Sequence, residues 1–406
     1  MSRTTAKADR IYEVPPTAGL PLAWSDLLPS GRPLERHLAG FVGAEEIQIE
    51  CSASSALVIA LTALKHGSDR QQVVIPAYTC PLVAQAVLQA GLQPVACDTR
   101  AGHFDFCADA LRACCNENTL AVVPTHLAGR LADMTTITAI AKQAGAYVVE
   151  DAAQALGALY RSQPAGSLGD IGVYSLGVGK GLTIYGGGAL IARTPELRER
   201  LLAASKTLTT CQPGREARRI LELLGYAALY RPLTLPLVYG VPLRRLLQQG
   251  RLLEAAGDLH PASIPMHRVS RWRKTVGAKA LKRMSWFMAL TTVQALRRKA
   301  RLQRIAGITV LEDAPGDMGT WPCLLVLMPT QQARDKALQT LWPAGLGVGR
   351  MFIHALPDYD GLAAGLGNAN TPNARDFAAR SLTISNSHWL KDHDFERICG
   401  ILEQAI

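Results

Sequence analysis

The 406-residue chain has no apolar run long enough to span a bilayer, no internal repeat and no low-complexity tract. A spanning helix needs about 20 consecutive apolar residues. The most lipid-like stretch, Pro232 to Leu243 (PLTLPLVYGVPL), is shorter and holds three prolines. The first residues, MSRTTAKADRIYEVPP, carry basic side chains with no apolar segment behind them, so they do not read as a signal peptide. The nine cysteines are an odd number and form no paired CxxC spacing, which argues against a disulfide framework and a metal cluster. A reducing, cytoplasmic setting with free thiols is the expectation. Nucleotide-binding signatures are missing too. The text GVGKG (177–181) lacks GxxxxGK[ST] spacing, and no GxGxxG opens a helix after the first strand.

What is present describes a folded protein: 48% hydrophobic and 19% charged residues. Charge is uneven within a net +10, because Arg193 to Arg304 holds 23 Lys or Arg against 6 Asp or Glu. Such a field attracts anions in general. No zinc-finger spacing or RNP text accompanies it, so nucleic acid is not an expected partner. With Arg231, Arg244 and Arg245 beside it, the 232–243 stretch reads either as a hydrophobic loop covering the core or as a patch dipping into an anionic membrane surface.

Between residues 35 and 195 short apolar runs alternate with helical patterns. Strands are predicted at 71–77, 92–98, 120–125, 146–151 and 171–176, and helices at 54–65, 81–90, 105–115 and 134–144. Repeated βα units imply a largely parallel sheet covered by helices. Helical text fills 195–304. The last hundred residues give two strands, ITVLEDA and PCLLVLM, and two helices, 331–341 and 392–404, which suits a smaller α/β domain. The expected division is a large domain with an N-terminal arm over 1–245 and a small one over 246–406.

In such sheets ligands gather at the carboxyl ends of the strands. Three places qualify. In CSASSALVIALTAL, Ser52 and Ser54 are helix-cap residues, and the small side chains at 52–56 let a phosphate approach the open N–H groups of the first turn; ordinary capping accounts for the same residues. In AYVVEDAAQALGA, Asp151 ends a strand, where its carboxylate can hold a pyridinium proton; Gln154 can return to the same side, and Glu150 points the other way if the strand alternates. In YSLGVGKGLTIYGGGALIA, a glycine-rich turn presents Lys180, an amine suited to a Schiff base, with Ser175 five residues earlier as a hydroxyl donor.

These segments, with PLERHLAGFVGAEE, VVIPAYTCPLVAQAVLQAGLQPVACD, PTHLAGRLADM and HWLKDHDFERICGIL, resemble the DegT/DnrJ/EryC1/StrS family of pyridoxal phosphate (PLP)-dependent aminotransferases. The resemblance is densest over 35–192. It implies the fold-type-I aminotransferase architecture and a homodimer with sites at the subunit interface. It makes Lys180 the residue that carries PLP, Asp151 the partner of the ring nitrogen, Gln154 a neighbour of the ring and Ser175 a phosphate ligand. Ala53 and Ser54 stand at the family's phosphate-binding Gly-Thr pair. Cys80 stands where an aromatic residue usually stacks on the cofactor, with Tyr78 as a compensating neighbour. His126 matches a histidine near the site, and Arg350 and His354 are candidates for an anionic substrate. The family's GTNxRM-like segment is not recognisable; RILELLGYAALYRPLTLPLVYGV occupies that part of the chain.

The implied reaction moves an amino group from glutamate or glutamine to a ketone or aldehyde, a keto-sugar or nucleotide-linked keto-sugar first. Two alternatives stay open. One is a PLP-dependent sugar dehydratase, although the known dehydratase branch replaces the lysine by histidine. The other is a non-catalytic regulatory or binding protein. No metal is expected, and the expected location is the cytoplasm, with peripheral contact at the inner face of a membrane as its variant.

Overall fold

A computed structural model describes residues 12–28, 31, 33–258, 263–366 and 369–406. The leader reading falls largely on residues 1–11, as does most of the expected N-terminal arm, and these lie outside the described residues.

The described residues build two main sheets and a two-stranded hairpin, Leu159–Tyr160 with Gln163–Pro164. The larger holds β1 (Gln48–Glu50), β2 (Gln72–Pro76), β3 (Gln93–Cys97), β4 (Thr119–Val122), β5 (Tyr147–Asp151), β6 (Ile171–Ser175) and β7 (Gly188–Ala192), in the order β1-β7-β6-β5-β4-β2-β3. Neighbours from β6 through to β3 pair parallel, and β7 runs antiparallel to both β1 and β6. The predicted strands fall where the Val- and Ile-rich runs lie, because a strand buried on both faces needs apolar side chains at every position.

Alternation sends successive residues of these strands into different cores. Val73, Ile75, Val149, Ile171 and Val173 enter the core beneath the helices Ala53–Lys65 and Pro81–Gln89. Val74, Val148 and Tyr174 enter the opposite one, covered by Met134–Gln143. The parity continues into the polar ends: Asp151 shares the face of Val149, and Ser175 that of Val173. The helix predicted over 105–115 begins only at Ala108, because Phe106 is held in an isolated bridge to Thr99.

The smaller sheet holds β8 (Thr309–Val310), β9 (Cys323–Leu327), β10 (Val348–Gly349) and β11 (Ser381–Ser385), antiparallel in the order β8-β9-β11-β10. Sequence reading missed β10, only two residues long, and β11, whose SLTIS text mixes Ser and Thr into a fully buried strand. The helices Gln331–Leu341 and Asp392–Ala405 form as predicted. The basic helical segment contributes to both cores: Leu243 and Ala255 to the small sheet's, Val276, Met284 and Phe287 to the large sheet's.

Residues 235–243 are helical rather than a loop, after a turn over 232–234. A π-helical turn, Pro236–Gly240, runs into Val241–Gln248. Pro236 stands near the start of this run, where a missing N–H leaves no helical bond unmade, and Pro242 sits where the π-helical turn passes into the α-helix.

Two features hold the loop between β6 and β7, which bears Lys180. At Gly188 a Cβ would overlap the Ser52 carbonyl and the Ala53 nitrogen, so glycine lets β7 pack against the start of the helix Ala53–Lys65. Farther along, the buried Arg273 donates Nε and Nη2 to the Glu216 carboxylate at 2.7 and 3.0 Å. Its Nη1 donates to the carbonyls of Ile184 and Tyr185 at 3.1 and 3.3 Å, and also to that of Gly186. Burial alone would raise the Glu216 carboxyl, but hydrogen bonds from Arg273 and Ser270 outweigh it and hold it below its ordinary value.

Gly188→Ala is expected to destabilise the fold by about 1–3 kcal/mol, the usual cost of overpacking. Gly400→Ala, where a Cβ meets nothing within 4 Å in the helix Asp392–Ala405, should stabilise it by up to about 1 kcal/mol. Urea unfolding of the two variants beside the wild type checks both signs. Arg273→Met should cost about 3–5 kcal/mol by stranding the Glu216 carboxylate, and adding Glu216→Leu should recover part of that loss. An additive double variant in the same assay would show that the pair is not coupled.

Candidate functional site

At the carboxyl ends of β4, β5 and β6 lies a cavity of about 220 Å³. Its walls include Ala53, Ser54, Cys80, His126, Asp151, Gln154, Ser175 and Lys180. Eight residues chosen from five separated sequence segments therefore meet in one place. Three chosen residues are elsewhere.

The N-terminus of the helix Ala53–Lys65 forms one wall of the cavity. Ser52 is its cap: the Ser52 hydroxyl accepts from the Ser55 N–H at 2.9 Å, and the Ser55 hydroxyl accepts from the Ser52 N–H at 2.9 Å. The cap is Ser52 alone, so Ser54 falls inside the first turn. The box engages Ser52 and Ser55, leaving Ala53 and Ser54 to line the cavity where the helix dipole is positive. Ser175, across from them, accepts the Gly177 N–H on its Oγ at 3.2 Å, which orients the hydroxyl group.

Asp151 is buried and Lys180 half-buried in this cavity. Burial pushes the Asp151 carboxyl up, against the pull of the Ala153 N–H, Lys180, His126 and Thr125. Burial pushes the Lys180 ammonium down, against the pull of Cys80, Asp151 and Cys323. Both shifts favour the neutral forms, so the amine is a readier nucleophile than a solvated lysine.

Glu150, one residue earlier, turns to the other face as alternation requires. It accepts N–H groups of Leu168 and Gly169 at 2.8 and 3.0 Å, and that of Gly166. His126 meets it at 2.7 Å through Nε2, while His126 Nδ1 accepts the Ala132 N–H at 3.0 Å. An Nδ1 that accepts carries no proton, so the ring is the Nε2–H tautomer and donates to Glu150. His126 is fully buried and fixed in place against the cavity. Gln154 accepts the Ala128 N–H at 3.0 Å.

Tyr78 does not line the cavity. Its ring packs edge-on against Phe352 and Phe377 at 5.6 and 4.9 Å, filling the seam between the two sheets. Arg350 does not reach it either, since its Nη2 donates to the carbonyls of Ile353 and Ala378 at 2.6 and 2.8 Å. His354 packs edge-on against Tyr359 at 5.3 Å. The segment carrying them does reach the site, through Phe352. Thr79 and Thr125, linked at 2.9 Å, also line the cavity and went unnoticed in the sequence. Thr125 was findable, because it directly precedes His126 beyond β4. Phe352 carried no such signal, since nothing local says which residue of GVGRMFIHALP crosses to the other sheet.

A larger cleft of about 510 Å³ lies beside β1. Its lysines do not make it a rival: Lys206 is exposed, and Lys274 is paired with Glu35 at 2.6 Å. Among the described residues no group of three or more His, Cys, Asp or Glu is arranged to hold a metal ion.

The chain is 37% identical over 172 residues to the UDP-N-acetyl-3-dehydro-alpha-D-glucosamine 3-aminotransferase of Acidithiobacillus ferrooxidans, covering 42% of this chain and 46% of that protein. It is 38% identical over 169 residues to the pleiotropic regulatory protein of Geobacillus stearothermophilus, covering 41% and 45%. The chain thus spans about half the length of these curated relatives. Over nearly its whole length it shares the fold of Helicobacter pylori PseC, an aminotransferase involved in the biosynthesis of pseudoaminic acid (TM-score 0.74, 16% identity, 97% of this chain and 99% of that one). DesI, solved in the presence of its TDP-sugar product, has the same fold (TM-score 0.74, 20% identity, 98% and 93%). Residues 20–227, half of the chain, match the family model itself, and the chain belongs to the DegT/DnrJ/EryC1/StrS aminotransferase family.

Proposed function

We propose that the chain is a PLP-dependent aminotransferase that moves an amino group from glutamate or glutamine to the carbonyl of a sugar or nucleotide-linked sugar, working as a homodimer. The observation that carries this reading is the meeting of a half-buried amine, a buried carboxylate and a helix N-terminus in one cavity. Those groups suit a phosphorylated, electron-poor aromatic aldehyde. The first-turn amides of Ala53 and Ser54 and the Ser175 hydroxyl are matched to its phosphate, Asp151 to a protonated ring nitrogen, and Lys180 to its aldehyde carbon. When bound, PLP supplies an electron sink for the carbon that loses its proton.

The chain's own residues supply the rest. Lys180, kept toward neutrality by burial, can take a proton from the donor's alpha carbon and return it one position along. A charge on Asp151 keeps the ring nitrogen protonated, and a cation beside it would reverse the upward push of burial on that carboxyl. His126, held by Glu150 and the Ala132 amide, cannot swing, so it serves as a fixed wall of the cavity. Phe352 and Cys80 narrow the opening and keep water away. The sugar acceptor is supported by the names of the relatives and by no contact within this chain.

Purified with PLP, the wild type should show a visible absorption band that Lys180→Ala lacks; an unchanged band in that variant would remove the attachment. Adding glutamate should bleach the band and release 2-oxoglutarate, and no response to a broad panel of amino donors would favour a dehydratase or binding role. Asp151→Asn should still bind PLP through Lys180 but lose about a hundredfold or more in the glutamate half-reaction. Stopped-flow absorbance separates the two effects, and undiminished rates would remove Asp151 from its role.

A further inference from the structure

Two helical segments expose apolar side chains where soluble helices ordinarily carry charge. On Pro213–Leu229 and the turns that follow, Leu221, Leu233 and Leu237 are 69–71% exposed, with Leu224, Leu229, Val238 and Val241 less so. On Met284–Leu302, the stretch 284–296 (MSWFMALTTVQAL) holds no charged residue at all. Its inner side is buried through Met284, Phe287, Thr291 and Ala295, yet its outer side is also apolar: Trp286 is 63% and Val293 71% exposed, beside Leu290 and Leu296. A helix apolar all round usually has a second apolar environment against it.

The two segments adjoin. Leu20, Pro21, Trp286, Leu290 and His388 line a groove of about 330 Å³. His388 stacks near Trp389 at 5.1 Å, and Trp389 near Tyr230 at 5.9 Å. Arg231, next in the chain, donates to the Leu22 carbonyl, two residues beyond Leu20. The segment that exposes Leu233 and Leu237 therefore begins beside this groove, and the helix that exposes Val293 walls it through Trp286 and Leu290, which makes the two apolar faces neighbours.

Cations bracket both segments. Arg215, Arg218 and Arg219 precede the first, and Arg244 and Arg245 follow it; Lys282 and Arg283 precede the second, and Arg297, Arg298 and Lys299 follow it. Most are paired or buried within the fold: Arg244 with the buried Glu13 at 3.0 Å, Arg218 and Arg219 with Glu222 at 2.9 Å, Arg297 with Asp392 at 2.7 Å, Lys299 with Glu312 at 2.6 Å and Arg283 with Asp26, while Arg298 is buried. Arg215, Arg245 and Lys282 are exposed.

We propose that this face is a monotopic docking surface for an anionic lipid bilayer, with the leucines, Val293 and Trp286 entering the acyl boundary and the flanking cations meeting headgroups. Charge selects this occupant over a second copy of the chain. A two-fold interface sets the same patch against itself, and here both copies would bring a rim from a region whose 23 cationic residues face 6 acidic ones. A bilayer offers what the patch lacks, negative headgroups above an apolar interior. Among the described residues no helix is long and apolar enough to cross a membrane, so the contact is with one leaflet.

The test is flotation of the PLP-loaded protein with phosphatidylcholine vesicles, alone or containing phosphatidylglycerol. The wild type should float with the anionic vesicles only, and added salt should weaken binding. Leu237→Glu with Val293→Glu should lower the bound fraction about tenfold or more, with the visible band and solution mass unchanged. Arg245→Ala, an exposed change with little to disturb in the fold, should weaken binding to the anionic vesicles. Brominated acyl chains should quench wild-type tryptophan emission, and Trp286→Phe should lose that quenching. Wild type that stays at the bottom with anionic vesicles, or variants that float as well as it does, would overturn the proposal. So would a glutamate variant whose solution mass halves, which would give the face to a second copy.

Discussion

A half-buried primary amine and a buried carboxylate share one cavity, where desolvation pushes each toward its uncharged form, and that constraint organises the site. Burial raises Asp151 and lowers Lys180, and their mutual attraction only partly offsets it. Neither group finds a full hydrogen-bonding shell of the kind that surrounds Glu150. The cavity is therefore prepared for a guest that supplies what is missing, a cation beside the carboxylate and an electrophile beside the amine. A structural ion pair would have been built with the two groups in direct contact and every remaining lone pair satisfied.

The rest of the large sheet can be read as the scaffold for that constraint. Parallel strands bring their carboxyl ends to one edge, and parity along β5 and β6 decides which end residues face the cavity. The loop that carries Lys180 cannot form until β7 packs beside β6, which requires glycine at 188 because the backbone at Ser52 and Ala53 lies against it. The same contact sets the helix N-terminus beside the loop, so that terminus and the lysine are fixed relative to each other by backbone. Arg273 completes the hold with its bonds to the carbonyls of Ile184, Tyr185 and Gly186, drawing on a helix 85 or more residues away in sequence.

Much of this was legible in the sequence, and the failures share a cause. Asp151, Ser175 and Lys180 were readable because each ends or follows an apolar run, a local signal. The strands of the large sheet were readable because burial on both faces leaves long Val- and Ile-rich text. Tyr78, Arg350 and His354 were misplaced because their surroundings are set across the seam between the sheets, by Phe352, Phe377, Ala378 and Tyr359. Phe352 was missed for the same reason. Strand β11 escaped because its Ser and Thr are buried against other elements, which removes the alternation that marks an exposed strand. The helical form of 235–243 was hidden by its prolines, which read as breakers although the chain carries Pro236 near a helix start and Pro242 at the end of a π-helical turn.

The neighbouring carboxylates of Glu150 and Asp151 show how little separates structure from chemistry here. Both are buried acids at the end of one strand, one residue apart. Glu150 accepts from Gly166, Leu168, Gly169 and His126, a shell that leaves it no capacity to handle a proton for another molecule. By holding His126 it fixes an imidazole against the cavity while contributing no atom to the cavity wall. Asp151 has fewer donors and faces the amine. A shift of β5 by one residue would exchange these environments, putting the saturated carboxylate's side chain into the cavity and the open one among glycine amides. Register in the sheet is thus a condition of reactivity, and the pairing of Val149, Glu150 and Asp151 with Ile171, Gly172 and Val173 is what secures it. Gly172 fits that pairing because a Cβ there would strike the Gly166 carbonyl, on the very turn whose N–H groups satisfy Glu150.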